Sequence, residues 1–191
     1  AMTYAPLLNH SFYSLHDSTL SPQLIVEAAQ AAGMTAAGIA DRDTLAGAVL
    51  FYKAARSAGI HPAIGAELTL PDRSSLTLFA ENTQGYANLC RLITESPSPE
   101  NRQRYNYGLI CLAGPRSALA RALRANQPTD PLVRQLLDLY NRNPTSSGDR
   151  VIVREAWLLM GNRYEVLRPQ EGTRVYLSVG KAPRFTKQLD R

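Results

Sequence analysis

The 191-residue chain predicts an α/β fold. Three observations carry that expectation. Helical and strand patterns alternate from about residue 21 to about residue 142, the intervening strand runs are short and nearly uncharged, and Gly33, Gly59 and Pro71-Asp72 punctuate them. Alternation of this kind implies right-handed βαβ units and a parallel sheet or barrel covered by helices.

Each element has its own signal. Ser21-Pro22 supplies an N-cap and a proline at the first helical position; Leu24, Ile25, Ala28, Ala29 and Ala32 form an apolar stripe; Gly33 ends it, so a helix is predicted there. Residues 35–40 suit a strand buried on both faces. Asp43 or Thr44 is placed to cap a second helix with Leu45, Val49, Tyr52 and Ala55 as its inner face, closed by Gly59. Strands are expected at 63–70 and 75–80 around the Pro71-Asp72 turn, then a helix at 85–94, a strand at 109–113 and a helix at 117–124. The polar, proline-rich run over 95–107 predicts an exposed, mobile loop, and 143–148 is a second break. Beyond it, strands predicted at 150–153, 164–167 and 174–179 make the tail more antiparallel in character. The expected organisation is one β/α domain over 3–142 and a β-rich C-terminal extension over 143–191 packed on it.

Composition narrows the functional classes. With 45% hydrophobic and 19% charged residues the chain can fill one core, which excludes a peptide hormone, a disordered tail and a coiled-coil rod. Cys90 and Cys111 have apolar neighbours and no CxxC spacing, so neither a disulfide scaffold nor a cysteine-rich zinc module is expected, and a reducing compartment is. No apolar run reaches the roughly 20 residues of a membrane span, and no basic-then-apolar leader opens the sequence. The expectation is a cytoplasmic protein with no membrane partner. Ala1 ahead of Met2 reads as a remnant of tag removal. Charge is uneven: residues 1–95 hold five Lys/Arg against eight Asp/Glu, and residues 96–191 hold sixteen against eight. The arginines of the second half are scattered singly, as on a solvated face. A DNA-binding surface built from them is an alternative that would show strong salt dependence.

Ligands on a parallel sheet gather at the carboxyl ends of strands, which directs attention to four turns. These are Leu7-Leu8-Asn9-His10 with Ser11 to Asp17, then Asp41-Arg42-Asp43, then Ile64-Gly65-Ala66-Glu67, and finally the run Ala113-Gly114-Pro115-Arg116. Together with residues 47–67, which end in Gly59-Ile60-His61-Pro62-Ala63-Ile64-Gly65-Ala66-Glu67, and with Leu76-Thr77-Leu78-Phe79-Ala80, they carry a resemblance. The chain resembles the polymerase and histidinol phosphatase domain, the PHP domain, of the bacterial DNA polymerase III alpha subunit and its error-prone relatives. The similarity extends over roughly residues 4 to 125.

That resemblance implies a distorted or partial TIM-like β/α barrel and, in active members, a zinc or manganese cluster that hydrolyses phosphoesters. Imidazole and carboxylate suit such ions, so the ligand count decides the expectation. His10, Asp17 and Glu67 keep ligand-capable types, and Asp41 stands at the strand end. At the other positions the family's ligands are replaced: Leu8, Arg42 and Ser75 stand where histidines are expected, and Pro115 where a cysteine is. The late Asp-x-His pair has no counterpart, because no histidine follows His61. Leucine and proline offer no side-chain ligand, and a guanidinium repels a divalent cation. The expectation is a remnant site of His10, Asp17, Asp41, Arg42 and Glu67, with no resident metal and no catalysis. Within it Arg42 acts as an internal cation among Asp17, Asp41 and Glu67. His16 and His61 are expected at the surface, and Tyr105 and Tyr107 in packing.

A structural or protein-interaction role in replication or repair follows, with a polymerase body or a replication or repair protein as partner. Whether the chain is an excised domain or a freestanding protein stays open. One alternative is a metal-dependent phosphoesterase or 3′–5′ exonuclease with an atypical site of His10, Asp17, Asp41, Asp43 and Glu67, and another is a basic DNA-binding module.

Overall fold

A computed structural model describes residues 5–140, together with strand residues 176–178 and 186–188. The first helix, α1 (Pro22–Ala31), begins as its sequence dictates: Ser21 Oγ accepts from Leu24 N at 3.0 Å, and Pro22, Ile25, Val26 and Ala29 are buried. It is followed by β1 (Ala36–Arg42), α2 (Ala48–Ser57), β2 (His61–Thr69), β3 (Ser75–Ala80), α3 (Thr83–Glu95) and α4 (Pro99–Arg104). Then come β4 (Leu109–Leu112), α5 (Ala118–Arg124), α6 (Asp130–Tyr140), β5 (Tyr176–Ser178) and β6 (Thr186–Gln188).

The main sheet runs β1-β2-β3-β4. Only β1 and β2 are parallel, in register from Ala36↔His61 to Arg42↔Glu67, while β2/β3 and β3/β4 are antiparallel. The fully parallel sheet expected from alternation is thereby corrected. Residues 70–74 are far fewer than the dozen or so a parallel crossover needs, so β2 and β3 must form a hairpin. Its turn is closed by Arg73 N→Leu70 O at 2.9 Å and Leu70 N→Ser74 O at 2.8 Å. The four strands form an open sheet, and closure into a barrel is absent among the described residues. Residues 6–9 lie along β1 without becoming a regular strand: Gly38 N donates to Pro6 O at 2.8 Å and Ala40 N to Asn9 O at 2.9 Å. The Asn9 amide donates to Pro6 O and Gly38 O, which fixes the segment and delivers His10 to the carboxyl end of β1.

Strand alternation gives the sheet two different faces. Ala37, Ile39, Ala66, Leu68, Leu76 and Leu78 face the helices, joining Ile25, Val26, Phe51 and Ala55 of α1 and α2 at one end and Leu89 and Leu92 of α3 at the other. Leu136 and Tyr140 of α6 extend the second cluster. The opposite face carries a smaller core, Ala40, Phe79 and Leu112, against which Leu7 and Leu8 pack. Arg42 and Glu67, register partners on that same face, stand at its carboxyl end. The sheet thus separates the helix-covered core from the Arg42 and Glu67 pair.

Two expectations are revised within the helices. α2 starts at Ala48 with Gly47 as its cap and buries Ala48, Phe51 and Ala55, leaving Val49 and Tyr52 exposed. Asp43 does not cap it; its carboxylate accepts from Thr69 N and Thr69 Oγ1, both at 2.7 Å, and so fastens the end of β2. A later start rotates the inner face by one residue. The run over 95–107, expected as a mobile loop, contains α4, capped by Ser98 with Pro99 in the first turn. Ser98-Pro99 repeats the Ser21-Pro22 signal of α1. β5 and β6 pair antiparallel, while the strands predicted at 150–153 and 164–167 lie outside the described residues, as does most of the extension over 143–191.

Candidate functional site

Two polar arrangements occupy the carboxyl end of β1 and β2, and they divide the predicted residues between them. The first is a buried knot. Asp41, 2% exposed at the end of β1, accepts from Ser11 N at 2.6 Å, Ser11 Oγ at 2.7 Å and Ser14 Oγ at 2.7 Å. Ser14 Oγ in turn accepts from Arg42 N at 2.9 Å. A buried carboxylate needs this number of donors to offset its lost hydration. Gly47 makes room for it, since a Cβ there would sit 2.7 Å from Asp41 Oδ2 and 3.1 Å from Ser11 Oγ. Asp41 therefore anchors the 11–14 turn, and the expected grouping of Asp41 with the charged cluster is corrected.

The second arrangement is a charged cluster at the surface: His10, Asp17, Arg42, Glu67 and Arg116. His10 bridges the two carboxylates, with Nδ1 3.1 Å from Asp17 Oδ2 and Nε2 3.0 Å from Glu67 Oε2. Arg42 pairs with Asp17. Arg116 grips Glu67 with both ends of its fork, Nε to Oε1 at 3.0 Å and Nη2 to Oε2 at 2.8 Å, and reaches Asp17 Oδ2 at 3.4 Å. Two-point contact of this kind is the strongest form of guanidinium–carboxylate pairing. Arg42 meets Asp17 alone, so the expected internal cation is in fact two arginines, Arg42 on Asp17 and Arg116 on Glu67 with a longer reach to Asp17.

The electrostatics follow from these contacts. Burial alone would raise the Glu67 carboxyl, but hydrogen bonds from His10, Arg116 and Ser75 outweigh it and bring the pKa down to about 2. Asp17 is also held below the usual carboxylate range, where Arg42 and then Arg116 overcome the effect of desolvation. His10 is raised, first by its hydrogen bond to Glu67 and against its own burial, so the imidazolium is favoured and can donate from both nitrogens. Arg116 is pushed up by the same Glu67 contact.

Sequence reasoning brought His10, Asp17, Arg42 and Glu67 to one place, and the structure does the same. It also shows what the substituted positions do. Leu8 packs on the Ala40, Phe79 and Leu112 core, and the Ser75 hydroxyl helps to lower the Glu67 carboxyl. Pro115 lends its carbonyl to Arg124 Nη1 at 2.9 Å. Asp43 serves Thr69, as above, and is absent from the cluster. His16 and His61 are exposed, and Tyr105 is 5% exposed with its hydroxyl on Glu95 Oε2 at 2.8 Å. Arg116 was missed: it reads as one more scattered arginine, and its only signal is the place immediately after Pro115, at the turn that follows β4. Ser75 N→Arg116 O at 2.9 Å holds that turn against β3.

Imidazole and carboxylate are metal-ligand types, and the family resemblance implies a metal cluster here. The donors are otherwise committed. His10 spends both ring nitrogens on carboxylates, and guanidinium groups hold Asp17 and Glu67. Among the described residues no group of three or more His, Cys, Asp and Glu is arranged to hold a metal ion. In this arrangement the donor set does not fit such a cluster. Among the described residues, too, no helix is long and apolar enough to cross a membrane.

Known proteins similar to this chain include bacterial DNA polymerases. The error-prone DNA polymerase of Corynebacterium diphtheriae is 41% identical over 93 residues, which cover 49% of this chain and 9% of the polymerase. DNA polymerase III subunit alpha of Halalkalibacterium halodurans is 39% identical over 100 residues, covering 50% and 9% respectively. The chain thus spans about a tenth of the length of these curated relatives. Among solved structures, a two-domain protein from Bacteroides vulgatus, described as containing a predicted PHP-like metal-dependent phosphoesterase, aligns at a TM-score of 0.43 with 14% identity, over 65% of this chain and 37% of that one. The family model described as PHP domain matches residues 7–144. With most of its length inside that match, the chain belongs to the PHP domain family, and its curated relatives are error-prone DNA polymerases and DNA polymerase III alpha subunits.

Proposed function

We propose that this PHP domain works without metal and without catalysis, as a structural or protein-interaction module of a DNA polymerase III alpha-like protein in replication or repair. Its partner is the polymerase body or another replication or repair protein, and the setting is the cytoplasm. The observation that supports this reading is the fork of Arg116 on Glu67, with Arg42 on Asp17 beside it. Two fixed positive charges stand against the carboxylates that would otherwise receive divalent ions, and they neutralise them with no ion present. The ion pairs are also partly exposed, with Arg116 at 49% and Arg42 at 30%. They therefore set the shape and charge of this surface more than they stabilise the fold.

Metal analysis by mass spectrometry after incubation with zinc or manganese, together with hydrolysis of bis(p-nitrophenyl) phosphate, tests the reading. The expected result is substoichiometric metal and no turnover above buffer. Stoichiometric metal with turnover that is lost in Glu67→Ala would overturn it in favour of a phosphoesterase.

A further inference from the structure

Away from the charged cluster, α4 and α6 enclose a groove of about 690 Å³. Arg102 lines it, together with Arg134, the amides of Gln103, Asn106 and Gln135, and the carboxylates of Asp130 and Asp138. Arg102 is only 8% exposed, yet it forms no salt bridge among the described residues and acts on the exposed Glu100 only through its field. Its Nε is buried without a hydrogen-bond partner there, and the buried Tyr140 hydroxyl beside it is a neutral group that supplies no counter-charge. Arg102 does exert a field: it opposes the burial that pushes the neighbouring Cys111 thiol up to about 12.

A buried guanidinium with no ion pair among the described residues is costly unless something supplies a counter-charge. The two salt-bridged arginines of the other site show the contrast, since both are far more exposed than Arg102 and both are paired. The groove is of the size that takes small ligands. We propose that it binds a small carboxylate-bearing molecule, with the carboxylate on Arg102 and Arg134 and its polar remainder among the amides. The guanidinium fork fits a carboxylate in two-point geometry. Asp130 and Asp138 on the same lining favour a singly charged carboxylate with hydrogen-bonding or cationic substituents over a doubly charged phosphate.

The test uses the full chain and thermal melts in N-acetylglycine, in inorganic phosphate and in chloride at equal ionic strength. A ligand that binds the folded state well above its Kd raises Tm by about 5 °C for a chain of this size. The expected result is such a rise with N-acetylglycine, a smaller one with phosphate and none with chloride. The rise disappears in Arg102→Met, whose own Tm without ligand equals or exceeds that of the parent, and shrinks in Arg134→Gln. Equal shifts in parent and Arg102→Met, or no shift with any anion, would overturn the site; a larger shift with phosphate would overturn the carboxylate. Should Arg102→Met not fold, the Nε–H resonance of Arg102 in the parent decides: it moves on titration with N-acetylglycine if the site is real and stays fixed if it is not.

Discussion

Arg116 Nε and Nη2 meet both oxygens of Glu67, at 3.0 and 2.8 Å, although 49 residues separate the two in sequence. Substituting Arg116→Gln removes that fork and the longer contact to Asp17. Because Arg116 is half exposed, the expected loss of stability is modest, about 1 kcal/mol by chemical denaturation. The sharper readout is the Glu67 carboxyl, whose NMR titration midpoint should climb from about 2 toward the normal range. A midpoint that stays put would mean that His10 and Ser75 hold Glu67 unaided.

Acid and base should act on the cluster from opposite sides. Glu67 is depressed when folded, so its contribution is complete above its ordinary value of 4.5 and is lost as pH falls from there toward about 2. That contribution is on the order of 3 kcal/mol for its contacts together. His10 is raised, so its contribution is complete below 6.5 and fades as pH rises through its higher folded value. Urea melts across pH should therefore show a plateau between these ordinary values, and His10→Gln should flatten the alkaline side. A parent profile without an alkaline decline would contradict the assignment of His10.

Gly85 lies inside α3, where alanine is ordinarily favoured by up to about 1 kcal/mol. Here a Cβ would stand 1.8 Å from Gly108 O, a backbone atom just ahead of β4 that cannot swing aside. Gly85→Ala should thus destabilise by more than about 3 kcal/mol, or prevent folding. Circular dichroism with denaturant titration measures it, and a neutral or stabilised variant would refute the close approach.

Removing the charge of Asp41 should be more damaging than its place outside the ion pairs suggests. Asp41→Asn keeps the volume but puts an amide donor where Ser11 and Ser14 also donate. The expected cost is about 2–4 kcal/mol. Ser11→Ala and Ser14→Ala should each cost less, about 1–2 kcal/mol. Equilibrium unfolding of the three variants checks that order.

Much of this was legible in the residues. Ser21-Pro22 announced α1 because a cap and a fixed φ act locally, and the same logic applied to Ser98-Pro99 would have announced α4. The position of β1, with Asp41 at its end, followed from an uncharged run. What failed was non-local. The start of α2 is set by the space that Gly47 leaves for Asp41, so Val49 and Tyr52 looked like part of an inner face that Ala48 and Phe51 provide instead, while Leu45, ahead of the helix, does pack on the core. The hairpin of β2 and β3 was written in the brevity of residues 70–74, and alternation obscured it. Arg116 could not be told from its fellow arginines until the turn after β4 was seen to lie beside Glu67.

The knot at Asp41 has a reach beyond its own three hydrogen bonds. Since it pins Ser11 and Ser14, the same fastening aligns His10 on one side and Asp17 on the other, three residues past the second serine. Surface charge in this protein is consequently indexed to an interior group. A partner that reads the pattern of His10, Asp17 and Arg42 is reading, at one remove, whether a buried aspartate still has its hydroxyls.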